Sequence, residues 1–204
     1  KIENKNDCRR YVGIVMDGVG VKESPRWVRE RLEACGMQSI NNLVDAANYV
    51  MLETGQPAHI FDFDAVAADR RRRYADSRRK LLRTSASSLR GSATIVVRRA
   101  KKGETMMTLD NQKLELSPDI LVIADAEKHL AIAGMKGGKD SGVSEKTKTI
   151  VIEAANFNPA VVRRGSKALN LKTDASFRFE HDLDPNLAER AALRLAELVR
   201  EVAG

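Results

Sequence analysis

The sequence holds few of the residues on which many active sites are built. It has two cysteines, one tryptophan and three histidines in 204 residues. Cys8 and Cys35 make neither a disulfide framework nor a metal signature. Neither has a histidine near in sequence, and no Gly-x-Ser-x-Gly elbow is present, so no covalent nucleophile stands out. His59, His129 and His181 show no ligand spacing, so no metal site is expected. The Gly137-Gly138 pair lacks the Lys-Ser or Lys-Thr ending of a Walker loop. No apolar run is long enough to cross a bilayer, and no membrane partner is expected. The chain starts at Lys1 with no initiator Met and no signal-peptide core. It reads as one piece, residues 1–204, of a longer cytoplasmic protein.

What is present is a globular composition, 43% hydrophobic and 31% charged. That length permits one large domain or two small ones with ample core. The net charge of +7 is unevenly spread. Residues 70–102 carry thirteen Lys or Arg and one acid, so +12, which leaves −5 for the rest. Such a stripe suits a polyanion such as an RNA backbone, while charge blocks are more commonly a solvated tail or loop.

The elements follow from punctuation and period. Residues 11–21 alternate weakly around glycines and read as a strand with turns. Ser24-Pro25 opens a helix with Ser as its cap, and Val28, Leu32 and Cys35 share its apolar face. A second helix carries Ile40, Leu43, Val44, Ala47, Val50 and Met51 inward. Gly55 stops it, since glycine enters the left-handed cap without strain, and Pro57 prevents resumption. A short extended piece then presents His59, anchored by Ile60, Phe61 and Phe63. Strands are expected over 95–99, 105–109, 113–116, 120–124 and 130–133, with a hairpin turn at Asp110-Asn111-Gln112. Thr149 to Glu153 reads as a strand ending in an acid. Asn158-Pro159 caps a helix closing near Asn170, and Asp184-Pro185 caps the last one. Strand clusters and separate helices without regular alternation indicate α+β, with mixed or antiparallel strands and flanking helices.

Two residues carry the chemistry. His59 sits between a proline corner and an apolar run, at the edge of a cavity or merely satisfying buried backbone. Glu153 follows Ile150-Val151-Ile152 and precedes Ala154-Ala155. A buried acid needs a partner, either a ligand hydroxyl or an arginine.

Several long words occur together in one order. They are Asn48-Tyr49-Val50-Met51-Leu52-Glu53 with Gly55-Gln56-Pro57-Ala58-His59-Ile60-Phe61-Asp62, then Ala133-Gly134-Met135-Lys136-Gly137-Gly138 with Ser141-Gly142-Val143-Ser144. Glu153-Ala154-Ala155-Asn156-Phe157-Asn158-Pro159 and Thr173-Asp174-Ala175-Ser176-Phe177-Arg178-Phe179-Glu180 follow. In these the chain resembles the editing module of the bacterial phenylalanyl-tRNA synthetase beta subunit. The resemblance spans nearly everything except a basic insertion at about residues 67–93, expected on the surface as a loop with some helix. It implies that module's fold and the hydrolysis of mischarged Tyr-tRNA(Phe). Glu153 would bind the phenolic hydroxyl. His59 would face the ester or terminal adenosine, and Thr173 would hold substrate or water. Asp174 and Ser176 could instead cap local turns. Gly137 and Gly138 would let backbone approach the ligand, and Ala175 would leave room for the ring. Gln38 stands where the family often has Arg, and Lys136 where it typically has Met. The implied partners are the tRNA(Phe) acceptor end, the remainder of the beta subunit and the alpha subunit. No cofactor is implied in this domain, since adenylation belongs to the partner subunit. The rival readings are a non-catalytic RNA-docking or structural module of the same fold, and a free-standing hydrolase.

Overall fold

The computed structural model describes residues 1–66, 94–125 and 128–204, so the basic insertion at 67–93 lies outside the described residues. In chain order the elements are β1 (Cys8–Asp17), α1 (Arg26–Ala34), α2 (Asn42–Thr54), β2 (Ala58–Asp62) and α3 (Phe63–Val66). Then come β3 (Val96–Arg99), β4 (Glu104–Met107), β5 (Lys113–Leu116), β6 (Leu121–Ala124), β7 (His129–Ile132) and β8 (Lys136–Gly137). The chain closes with β9 (Thr149–Phe157), α4 (Pro159–Ala168), α5 (Asp174–Phe179) and α6 (Leu187–Ala203).

Strand β9 is the spine. It pairs antiparallel with β1 on one side and β2 on the other, giving the order β1-β9-β2. Side chains alternate across a strand, so its two faces serve two cores. Ile150, Ile152 and Ala154 face α1, α2 and α6, with Leu32, Leu43, Val50, Leu195 and Val199. Val151, Ala155 and Phe157 face the second sheet, ordered β3-β6-β7-β8, with Leu121, Ile123, Leu130 and Ile132. Being covered on both faces, β9 carries apolar residues almost without interruption, as central strands do. The hairpin β4-β5 stands apart and touches the second sheet through a bridge between Thr108 and Gly138. The α+β reading holds, and all the named strand ladders are antiparallel.

Several local expectations are corrected. Glu153 lies in the middle of β9, not at its end, because apolar pairing continues to Phe157. Ser24 does not cap α1; its hydroxyl donates to the buried Asp45 carboxylate, which also accepts from Ser39 and the Ile40 amide. Ile40 therefore precedes α2 and is exposed, while Asn41 caps that helix through the Leu43 and Val44 amides. Cys35 is exposed, because α1 ends at Ala34 and the chain turns at Gly36. Asp184 forms a turn with Asn186 and Leu187 rather than a side-chain cap. The apolar stripe of α6 is buried as its spacing requires, from Ala188 to Val202.

Candidate functional site

The register of the first sheet assembles the site. Glu153 lies directly opposite His59 on β2 and Gly13 on β1. Directly paired residues share a face, so imidazole and carboxyl stand together on the side toward the second sheet. The corner before His59 is held by Gln56, fully buried, whose amide donates to the Pro57 and Ala155 carbonyls at 2.9 Å each. That ties the proline turn to β9 and keeps β2 in register.

Between the sheets lies a cavity of about 80 Å³. His59, Glu153 and Lys136 supply its polar lining. Ile123 and Ile132 of the second sheet, Ala175 of α5, and the rings of Phe157 and Phe179 form its apolar wall. The two rings meet edge to face at 5.1 Å. The space is small beside the 300–1,000 Å³ of typical drug-sized sites. Gly137 makes the site possible. A β-carbon there would come within 2.8 Å of His59 Cε1 and 3.0 Å of Nε2. The imidazole thus occupies the room that a side chain at 137 would need. The tip of the β4-β5 hairpin is held over this edge. Lys136 Nζ pairs with Asp110 at 2.7 Å, and the Leu109 amide donates to the Gly137 carbonyl.

Three buried polar atoms on this sheet face have no hydrogen-bond partner: Glu153 Oε2, His59 Nε2 and the Tyr11 hydroxyl. Native interiors leave few such groups unpaired, and a cluster of them calls for a physical explanation. Burial pushes the Glu153 carboxyl up to about 8, and the nearby Tyr11 phenol only partly offsets this. Burial likewise pulls His59 down to about 4. Both groups are therefore mainly uncharged at pH 7. A free imidazole titrates where a general base is wanted; this one does not, and it serves better as a neutral hydrogen-bonding group.

These shifts predict a stability profile. Folding raises Glu153 from 4.5 to about 8, so its contribution is complete below pH 4.5 and is lost as pH rises toward 8. Folding lowers His59 from 6.5 to about 4, so its contribution is complete above pH 6.5 and is lost as pH falls toward 4. The two slopes oppose each other between 4.5 and 6.5. Urea melts should show a plateau there and a fall of about 1.4 kcal/mol per pH unit from 6.5 to 8. Glu153→Ala should remove that alkaline fall. A slope unchanged in the variant would refute the assignment.

Of the residues singled out from sequence, His59, Glu153, Gly137 and Ala175 line the cavity together. Gly138, Thr173 and Gln38 are not among its lining residues. Gly138 packs on Leu130, whose carbonyl accepts its amide. The Thr173 hydroxyl donates to the Met135 carbonyl and accepts from the Ser176 amide, capping α5 in a reciprocal capping box. Its oxygen is thus engaged behind the cavity wall formed by Met135. Gln38 is exposed in the connection between α1 and α2. Sequence reasoning assigned no role to Tyr11, Phe157 or Phe179. The two phenylalanines lay within the quoted words, but only packing shows that they enclose a cavity. Among the described residues no three His, Cys, Asp or Glu side chains come together to hold a metal. Within the same residues no helix is long and apolar enough to cross a membrane.

Comparison with known proteins agrees with the words read from the sequence. The chain is 45% identical over 198 residues to the phenylalanine–tRNA ligase beta subunit of Aquifex aeolicus, covering 97% of this chain and 22% of that protein. It is 42% identical to the same subunit of Dehalococcoides mccartyi strain 195, over all of this chain and 22% of that one. For Carboxydothermus hydrogenoformans the identity is 42%, over all of this chain and 23% of the relative. The chain thus spans about a fifth of the length of these relatives. The profile of the B3/4 domain family matches residues 7–204, which include every residue of the cavity, and the chain therefore belongs to the B3/4 domain family.

Proposed function

We propose that this domain is the editing site of a phenylalanine–tRNA ligase beta subunit, hydrolysing the ester of Tyr-tRNA(Phe). The observation that carries the reading is Glu153, a buried carboxyl with an unpartnered Oε2, among the residues lining a cavity of about 80 Å³ with aromatic walls. On this reading a tyrosine ring lies against Phe157, Phe179 and Ala175, and its phenol donates to the Glu153 carboxyl. Phenylalanine fills the same walls but leaves that oxygen unpaired. A site built for a hydroxyl rejects the analogue lacking it by roughly 10⁴–10⁵ at best. Cognate Phe-tRNA is thereby spared. Water attacks the ester carbonyl, the bond to the tRNA ribose breaks, and the leaving oxygen takes up a proton. His59 faces the ester or the terminal adenosine through neutral Nε2 and positions the water. Ester hydrolysis of this kind calls for no cofactor. On this reading the domain works in the cytoplasm with the tRNA acceptor end, the rest of the beta subunit and the alpha subunit.

The test is titration of the protein with free tyrosine and free phenylalanine. Tyrosine should bind at least tenfold more tightly, the gain of about one buried hydrogen bond. Equal affinities would defeat the proposal.

A further inference from the structure

We infer that Tyr11 is a positioning residue of this site, its phenol orienting the Glu153 carboxyl so that one oxygen stays free for a ligand hydroxyl. The inference rests on the reading above. Its basis is the strand register. Gly13 stands directly across from Glu153, and Tyr11 is paired with Ala155, two residues further along β9. Tyr11 is therefore the diagonal neighbour of Glu153 on the same sheet face, a distance that an aromatic side chain can span. Gly13, with no side chain and open space where one would begin, puts nothing between them. The Tyr11 ring packs against the inter-sheet core, but its hydroxyl is buried without a partner, like Glu153 Oε2. A phenol needed only for packing would be served by phenylalanine, which has no oxygen to bury.

The surroundings leave few other candidates for that hydroxyl. On β1 the next titratable group near the carboxyl is Cys8, whose thiol already donates to the Arg10 carbonyl. On β2 it is His59, paired directly opposite Glu153 on the side away from Tyr11. Tyr11 does not line the cavity, so it acts on the ligand through Glu153 and not by contact. In the proposed arrangement the phenol O–H, unpaired in this structure, turns to donate to one carboxyl oxygen, a pairing in keeping with the way each group moves the other's ionisation. That fixes the torsion of the carboxyl and leaves the other oxygen aimed at the cavity.

The experiment is Tyr11→Phe, which keeps the ring and removes only the oxygen. Two quantities are read. The first is the ionisation midpoint of Glu153, followed by the infrared carboxyl band with Glu153→Ala as the blank. Losing a donor to the charged form should raise it by about one to two pH units. The second is the ratio of tyrosine to phenylalanine affinity, which should fall about tenfold while phenylalanine binding stays constant. An unmoved midpoint would overturn the contact. A moved midpoint with an unchanged ratio would overturn the positioning role. If the parent protein bound both amino acids equally, the editing reading itself would fail, a result visible before any variant is made. A thermal melt checks that Tyr11→Phe folds. Should it not, 3-fluorotyrosine at position 11, which makes the phenol more acidic, must still shift the Glu153 midpoint if the contact exists.

Discussion

Glu153→Ala is expected to weaken tyrosine binding by about tenfold or more and to leave phenylalanine binding nearly unchanged. The reason is local. The carboxyl is buried in β9 with Oε2 unpaired, so it has hydrogen-bonding capacity to offer a ligand phenol. An unsatisfied buried hydroxyl costs about 1–3 kcal/mol, and about 1.4 kcal/mol is already tenfold. The same substitution should make the protein more stable at pH 8, because the folded state no longer has to keep a carboxyl protonated against solution. The two effects have opposite sign and separate a site residue from a core residue. Paired calorimetric titrations and urea melts would measure both. Equal losses for tyrosine and phenylalanine would mean that Glu153 only shapes the cavity.

His59→Ala should slow hydrolysis of Tyr-tRNA by about a hundredfold in the synthetase carrying this domain, while charging with phenylalanine continues. Displacing a positioning group by even 1 Å can cost that much. Gly137→Ala should act in the same direction with the imidazole still present. Its new β-carbon would sit 2.8 Å from His59 Cε1 and 3.0 Å from Leu109 Cδ1, so the ring must move. Deacylation of Tyr-tRNA and aminoacylation with phenylalanine would be followed side by side. If phenylalanine charging collapsed with either variant, His59 would be a structural residue. Removing a neutral histidine should leave little pH dependence to lose above pH 6.5, since the group carries no charge there.

Much of the scaffold was legible because its signals are local. The Asn158 cap, the Gly55 stop, the α6 stripe and the Asp110-Asn111-Gln112 turn each depend on residues a few positions apart. The misreadings have one cause. Ser24, Ile40 and Cys35 lie where a local pattern competed with a distant partner or a turn. Ser24 had a free choice between the α1 amides and Asp45, and the buried carboxylate won. Thr173 was singled out as a hydroxyl for substrate or water; here it donates to the Met135 carbonyl and accepts from the Ser176 amide.

By itself the sequence determined the strand leading into Glu153, the helix stripes, and the family words around His59. Which polar atoms would be left unpaired was decided only by the tertiary structure. Strand period states which residues share a face, but not what packs against that face. The antiparallel register of β1, β9 and β2 brought together positions 11, 59 and 153, which are separated by dozens of residues. The second sheet then closed over them and removed water. Without water, an unpaired carboxyl, imidazole and phenol become costly, and that cost is what turns three unremarkable side chains into a candidate binding site.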